Sequence, residues 1–200
     1  ISKLTRLPDV SDLTIICENV KFDVHSALVY SQCAVLKTAC TGNFKSRIYE
    51  MKDESEIIVG KMIDFFYKAD YDETSGDSKN DMSALQLHAR VFALADKYRV
   101  NDLKTLSASK YEANLRDFKP AEFLGSIPDV YNLTPEAVRT LRDIAKRTAR
   151  EKLLECIISD REARKTYDKM KEYILGFILD IVDSYIEQPP VRCRNRFLGA

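Results

Sequence analysis

Two hundred residues, 45% of them apolar, allow one domain or one domain with an extension. The 31 Lys and Arg residues balance the 31 Asp and Glu residues, so the formal net charge is zero and no overall positive field exists for general nucleic-acid binding. Five cysteines, at positions 17, 33, 40, 156 and 193, form neither Cys-x-x-Cys nor a disulfide framework, which points to free, mostly buried thiols in a reducing compartment.

Leu13-Thr14-Ile15-Ile16 is a β-prone run with little polar alternation, which predicts a strand buried on both faces. Glu18 and Asn19 break it, with Asn19 suited to the positive φ of a tight turn. Val20 to Val24 alternates, placing Val20, Phe22 and Val24 on one face and Lys21 and Asp23 on the other. His25 or Ser26 caps a helical region whose apolar content runs from Ala27 through Leu36. Thr38 to Arg47 reads as a helix end passing through Gly42 into a loop, and Ile48 to Met51 as a short strand.

Glu56 to Lys68 has helical spacing, with Ile58, Met62, Phe65 and Phe66 on one side. Asp70 to Asp81 lacks apolar periodicity and is expected to be an exposed acidic loop. Ser83 caps a helix to about Arg99, with Leu87, Val91, Ala95 and Tyr98 inward. Another begins at Asn101 and carries Leu103, Leu106, Tyr111 and Leu115. Pro120 to Val130 holds one more, with Phe123, Leu124 and Ile127 apolar.

The segment after Leu133 differs in character. Thr134-Pro135-Glu136 is a helix start, followed by Val138, Leu141, Ala145 and Thr148, then Leu153, Leu154, Ile157 and Ile158. A final helix carries Tyr167, Met170, Ile174, Phe177, Ile181 and Tyr185 at 3-4 spacing and ends at Pro189-Pro190. That row must pack against something, either as an antiparallel helix pair folded back on the domain or as a homodimer seam. The basic stretch Arg139, Arg142, Lys146, Arg147, Arg150 and Lys152 is a solvated face or, alternatively, a nucleic-acid contact, against which the interspersed Asp143 and Glu151 argue.

Signatures of chemistry are missing from the sequence. The two histidines, His25 and His88, are far apart: the first reads as a structural ring bonded to backbone at a helix start, the second as a surface or half-buried residue. Six scattered glycines cannot cluster into a phosphate loop. No Gly-x-Ser-x-Gly elbow and no metal-ligand spacing occurs. The expectation is a non-enzyme with no catalytic residue, cofactor or metal. Without a visible signal peptide, and with the apolar run Tyr173 to Leu179 too short to span a bilayer, the chain is expected to be intracellular, cytoplasmic or nuclear, with no membrane partner. The Asn132-Leu133-Thr134 sequon reads as chance.

In Ser11-Asp12-Leu13 and Phe22-Asp23-Val24-His25 the chain resembles the BTB/POZ domains. Phe65-Phe66-Tyr67-Lys68-Ala69-Asp70-Tyr71 resembles that family's middle block. Phe92 to Val100, followed by Leu103-Lys104, resembles a later one, in the same order and spacing. The resemblance implies an α+β fold over residues 9–116, a small β-sheet capped by a helical cluster. A C-terminal α-helical extension over 117–187 and a tail over 188–200 would follow, a layout common in fungi. It implies a non-catalytic protein–protein interaction module with protein partners, mediating homo-oligomerisation (a homodimer) or partner recruitment. The alternatives are a substrate adaptor on a cullin scaffold of a ubiquitin ligase, and a transcription regulator with a nucleic-acid-binding basic helix.

Departures from the family pattern bear on these alternatives. Cullin-binding members carry hydrophobic-x-Glu after the first helical pair; the matching positions here are Phe44-Lys45-Ser46, without the glutamate. Transcription-factor members pair a buried Asp with an Arg, for which this chain has Asp12 and Gln32; Cys33 stands for the usual Ser and Leu36 for the usual Phe. Only ten residues precede Ser11, fewer than the helix and exchanged strand of those dimers occupy, so either the chain continues upstream or that dimer mode is absent. The candidate partner contacts are Leu36, Phe44, Lys45 and Arg47, with ordinary core for Leu36 and ordinary surface for the others as the structural alternative.

Overall fold

A computed structural model describes residues 11–41, 47–73, 82–153, 161–170 and 175–187. The expected loop through Gly42 to Ser46, residues 74–81, Leu154 to Ile158 with Cys156, Ile174, Pro189-Pro190, Cys193 and the tail lie outside them. The chain falls into two compact units, residues 1–110 and 111–200.

The first unit is α+β, as expected. Strands β1 (Leu13–Cys17), β2 (Val20–Val24) and β3 (Ile48–Met51) form a sheet of order β2-β1-β3. β1 pairs antiparallel with β2, Ile15 facing Phe22, and parallel with β3, Ile15 facing Tyr49. The period of two buries Leu13, Ile15 and Cys17 on one face. The other face is only half-buried, contrary to the two-sided burial expected of β1: there Thr14 donates its hydroxyl to Asp23 at 2.8 Å and Ile16 lies opposite Lys21. In the turn it is Glu18, at φ 53°, that takes the left-handed conformation, rather than Asn19.

Helices α1 (Ser26–Gln32), α2 (Ala34–Thr41), α3 (Glu56–Lys68) and α4 (Ala84–Lys97) follow, and α5 (Asn101–Asn114) begins in this unit and ends in the next, whose first residue is Tyr111. α3 buries Ile58, Met62, Phe65 and Phe66 as its spacing dictates. α4 starts with a full capping box between Ser83 and Gln86 and buries Leu87, Val91 and Ala95. The sheet's inner face, α1, α2, α3, α4 and the start of α5 share one core that includes Leu36, Met51, Val59, Met62 and Leu103.

The helical region from Ala27 to Leu36 is two helices, not one. Cys33 sits between them in extended backbone, φ −131° and ψ 96°. Its sulfur accepts from the Leu36 N–H at 3.5 Å, the bond an N-cap hydroxyl would take, and donates to the Tyr98 carbonyl at 3.4 Å. A serine-like capping role thus overrides a continuous apolar pattern.

The second unit contains α6 (Pro120–Asn132), α7 (Thr140–Thr148) continuing into a π turn (Ala149–Leu153), α8 (Arg161–Met170) and α9 (Leu175–Glu187). Phe123, Tyr131 and Phe177 meet edge-on in its core. α7 begins at Thr140, six residues later than the Thr134-Pro135-Glu136 signature predicts. The Thr134 hydroxyl instead donates back to the Val130 carbonyl at 2.8 Å, extending the end of α6. The row expected on a single final helix lies on two described elements, Tyr167 and Met170 on α8 and Phe177, Ile181 and Tyr185 on α9.

Candidate functional site

Asp12 precedes β1 and reaches the start of α1. One carboxylate oxygen accepts from the Ser26 N–H at 2.7 Å and the other from the Ser26 hydroxyl at 2.6 Å. These bonds hold its pKa below the usual 3.8. They also satisfy an N-terminal amide that neither His25 nor Ser26 caps with its own side chain, correcting the expected cap.

His25 is tied to α3 rather than to backbone. Its N–H donates to the Tyr67 hydroxyl at 2.9 Å, and its Nδ1 lies 2.8 Å from the same oxygen. Gln32 donates from Nε2 to the Leu28 carbonyl at 3.2 Å and the Phe66 carbonyl at 2.9 Å, so it joins α1 to α3 and makes no pocket with Asp12. Cys17 donates its thiol to the Glu54 carbonyl, and burial pushes its pKa up to about 11. Cys33 and Cys40 are likewise buried, free and shifted upward by desolvation, which makes poor nucleophiles of all three.

Of the four candidate contacts, Phe44 and Lys45 lie outside the described residues. Leu36 is 0% exposed and belongs to the core, so it offers a partner no surface. Arg47 is exposed, and its carbonyl accepts from the Thr14 N–H at 2.8 Å, anchoring the start of β3 to β1. Beside it Ile48 is 57% exposed at an edge of the sheet. In the sequence Ile48 carries no signal beyond the strand alternation that buries Met51, three positions on.

His88 is fully buried, not on the surface. Its Nδ1 lies 2.8 Å from the Tyr71 hydroxyl and its Nε2 3.3 Å from Glu73 Oε1. Tyr71, in the stretch read as exposed loop, is itself buried, and Lys110 binds its carbonyl at 3.0 Å and Asp70 at 2.9 Å. The start of the acidic segment is therefore pinned to α4 and α5. Desolvation lowers the His88 pKa to about 4, outweighing the attraction of Glu73, so the ring is neutral at pH 7.

The basic stretch is largely engaged within its own unit. Arg142 is buried, donates to the Tyr131 and Thr134 carbonyls at 2.9 Å each, and stacks 4.8 Å from the Tyr131 ring centre. Arg139 pairs with Asp180 at 3.1 Å, Arg147 with Glu112, Arg150 with the Ser184 carbonyl, and Lys152 with the Leu115 carbonyl at 3.1 Å. Arg139 and Arg147 keep 38% and 55% of their side chains exposed, but each is paired with a carboxylate that offsets its field toward a phosphate backbone.

Among the described residues no group of three or more His, Cys, Asp or Glu is placed to hold a metal ion. No described helix is long and apolar enough to cross a membrane. The family model described as BTB/POZ domain matches residues 2–115. No curated protein matches the chain.

Proposed function

The chain belongs to the BTB/POZ family, whose domains are protein-interaction modules and not typically catalytic, and from that premise we propose that it is a non-catalytic scaffold that recruits a protein partner. The module is taken to be residues 9–116, with residues 117–187 as its helical extension. The observation that supports this reading is how the signature side chains are used. Asp12, His25, Gln32 and Cys33 each bond another element of the fold, so what the unit offers outward is shape and surface rather than reactive groups.

The surface favoured for the contact is the start of β3, where a cation at Arg47 adjoins an exposed apolar side chain at Ile48. A compact apolar anchor rimmed by charge is the arrangement from which interface energy is drawn. Phe44 and Lys45, just before it in sequence, extend the same candidate stretch. A photo-reactive residue at position 48 in the full chain tests the proposal: covalent adducts to another protein support it, and no adduct sinks it.

The cullin-adaptor reading draws on Phe44, but Ser46 supplies no carboxylate where the family motif has glutamate. Titration with a cullin N-terminal region decides it, and no binding at about 100 μM, worth only about 5.5 kcal/mol, would remove it. Homo-oligomerisation is read by light scattering over a concentration series, where a constant monomer mass counts against it.

A further inference from the structure

Helix α9 is apolar on two opposite sides. Phe177 and Ser184 are buried within the second unit, while Leu175, Leu179, Val182 and Ile186 are 67%, 50%, 47% and 72% exposed. These four recur at steps of four, three and four, so they form one continuous stripe diametrically opposite Phe177. A helix with apolar rows on two opposite sides normally has both rows covered. The border of the stripe has one sign of charge. Asp183 and Glu187 are exposed along one edge, Asp180 is held by Tyr131 and Arg139, and α9 contains no Lys or Arg.

We propose that this stripe is the docking face for a single amphipathic helix of another protein, one with apolar residues at 3-4 spacing and Lys or Arg along the edge that meets Asp183 and Glu187. Three or four anchors are what a helix presents in this mode of recognition, and complementary charge along the edge sets its direction and rate of approach. A second copy fits less well. An antiparallel pair of α9 helices would bring the acidic edges, Asp183 and Glu187, of the two copies together. The inference does not rest on the BTB/POZ reading, because α9 lies outside the matched residues 2–115.

The test is fluorescence anisotropy of the full chain with two labelled helical peptides of about 18 residues, or five turns. Both carry Leu at 3-4 spacing; one has Lys along a single edge, the other Glu. The Lys peptide should bind about tenfold tighter at low salt, with the difference shrinking as added salt shortens the screening length. Leu179→Gln with Val182→Gln should weaken it about tenfold at unchanged melting temperature, since both side chains are exposed. Asp183→Lys with Glu187→Lys should reverse the preference between the peptides. Equal binding of the two peptides, or binding indifferent to these variants, would overturn the proposal. So would a dimer mass that grows with concentration and is lost in the Gln variant, which would assign the face to a second copy.

Discussion

Asp12 shows how one residue of a signature acts through position rather than chemistry. It closes the start of α1 from the strand side, so truncating it exposes a helix amide and breaks the link to Ser26. Asp12→Ala is expected to cost about 1 kcal/mol, the usual worth of such a cap. Urea unfolding measures this, and an unchanged midpoint would show that water replaces the carboxylate at no loss.

His88 makes a separable pH prediction. Its pKa is 6.5 in an exposed reference state and about 4 in the fold. Between those values the unfolded chain takes up a proton that the folded chain refuses, so stability falls as pH drops through that window. The loss is about 1.4 kcal/mol per pH unit, or ~3 kcal/mol across it. Asp12 and Asp70 have lowered pKa values, so their stabilising contributions persist above 3.8 and are lost only below it. Comparing His88→Gln with the parent chain at pH 7 and pH 4.5 should show a much shallower acid dependence in the variant. Parallel slopes would contradict the account. The sequence carried no sign of this burial, because the His88 pocket is closed by Tyr71 from a segment that looks like loop.

At the scale of elements, helix ends carry strain that is open to relief. Arg99 takes φ 55° at the end of α4, where its N–H bonds the Asp96 carbonyl and the Val100 N–H bonds the Ala95 carbonyl, the two bonds of a Schellman ending. Ala69 ends α3 at φ 53°. Glycine adopts this conformation freely, so Arg99→Gly and Ala69→Gly are each expected to stabilise by about 0.5–1 kcal/mol. Thermal melts would register this as a rise in midpoint, and a fall would mean that the side chain's own contacts outweigh the strain. Arg142 lies at the other extreme. Arg142→Leu leaves two carbonyls without their charged donor and is expected to cost about 2–3 kcal/mol in urea unfolding.

The same scale shows what could be read in the chain and what could not. The spacing of Ile58, Met62 and Phe65, and the Ser83-x-x-Gln86 box, specify α3 and α4 locally, and both form where the pattern places them. The break at Cys33 was hidden because apolar residues continue through it. The false start at Thr134 arose because its hydroxyl has a better partner behind it, at Val130. On α9 the inward row was legible through Phe177, Ile181 and Tyr185. The outward row has the same spacing, and a sequence alone does not tell which of two apolar rows faces water.

For the molecule as a whole, a net charge of zero and an internally paired basic stretch oppose a nucleic-acid role. Duplex DNA should bind no tighter than about 10⁻⁴ M at physiological salt, the weak end of non-specific association. An affinity that is tight and falls steeply with salt would reopen that reading. The family's blocks were legible because each is a short local pattern, and together they meet in one unit. The candidate site was less so: Leu36 turned inward, while Ile48 was exposed by an edge that only the strand order β2-β1-β3 reveals.

The central claim is that the first unit acts through protein contact at the start of β3. The most direct measurement places a photo-reactive residue at Ile48, and in parallel at Lys21 on the opposite edge of the sheet, in the full chain expressed in its own cells. The account predicts a discrete heavier adduct from position 48 and none from position 21. No adduct at 48, or the same adducts from both positions, would contradict it.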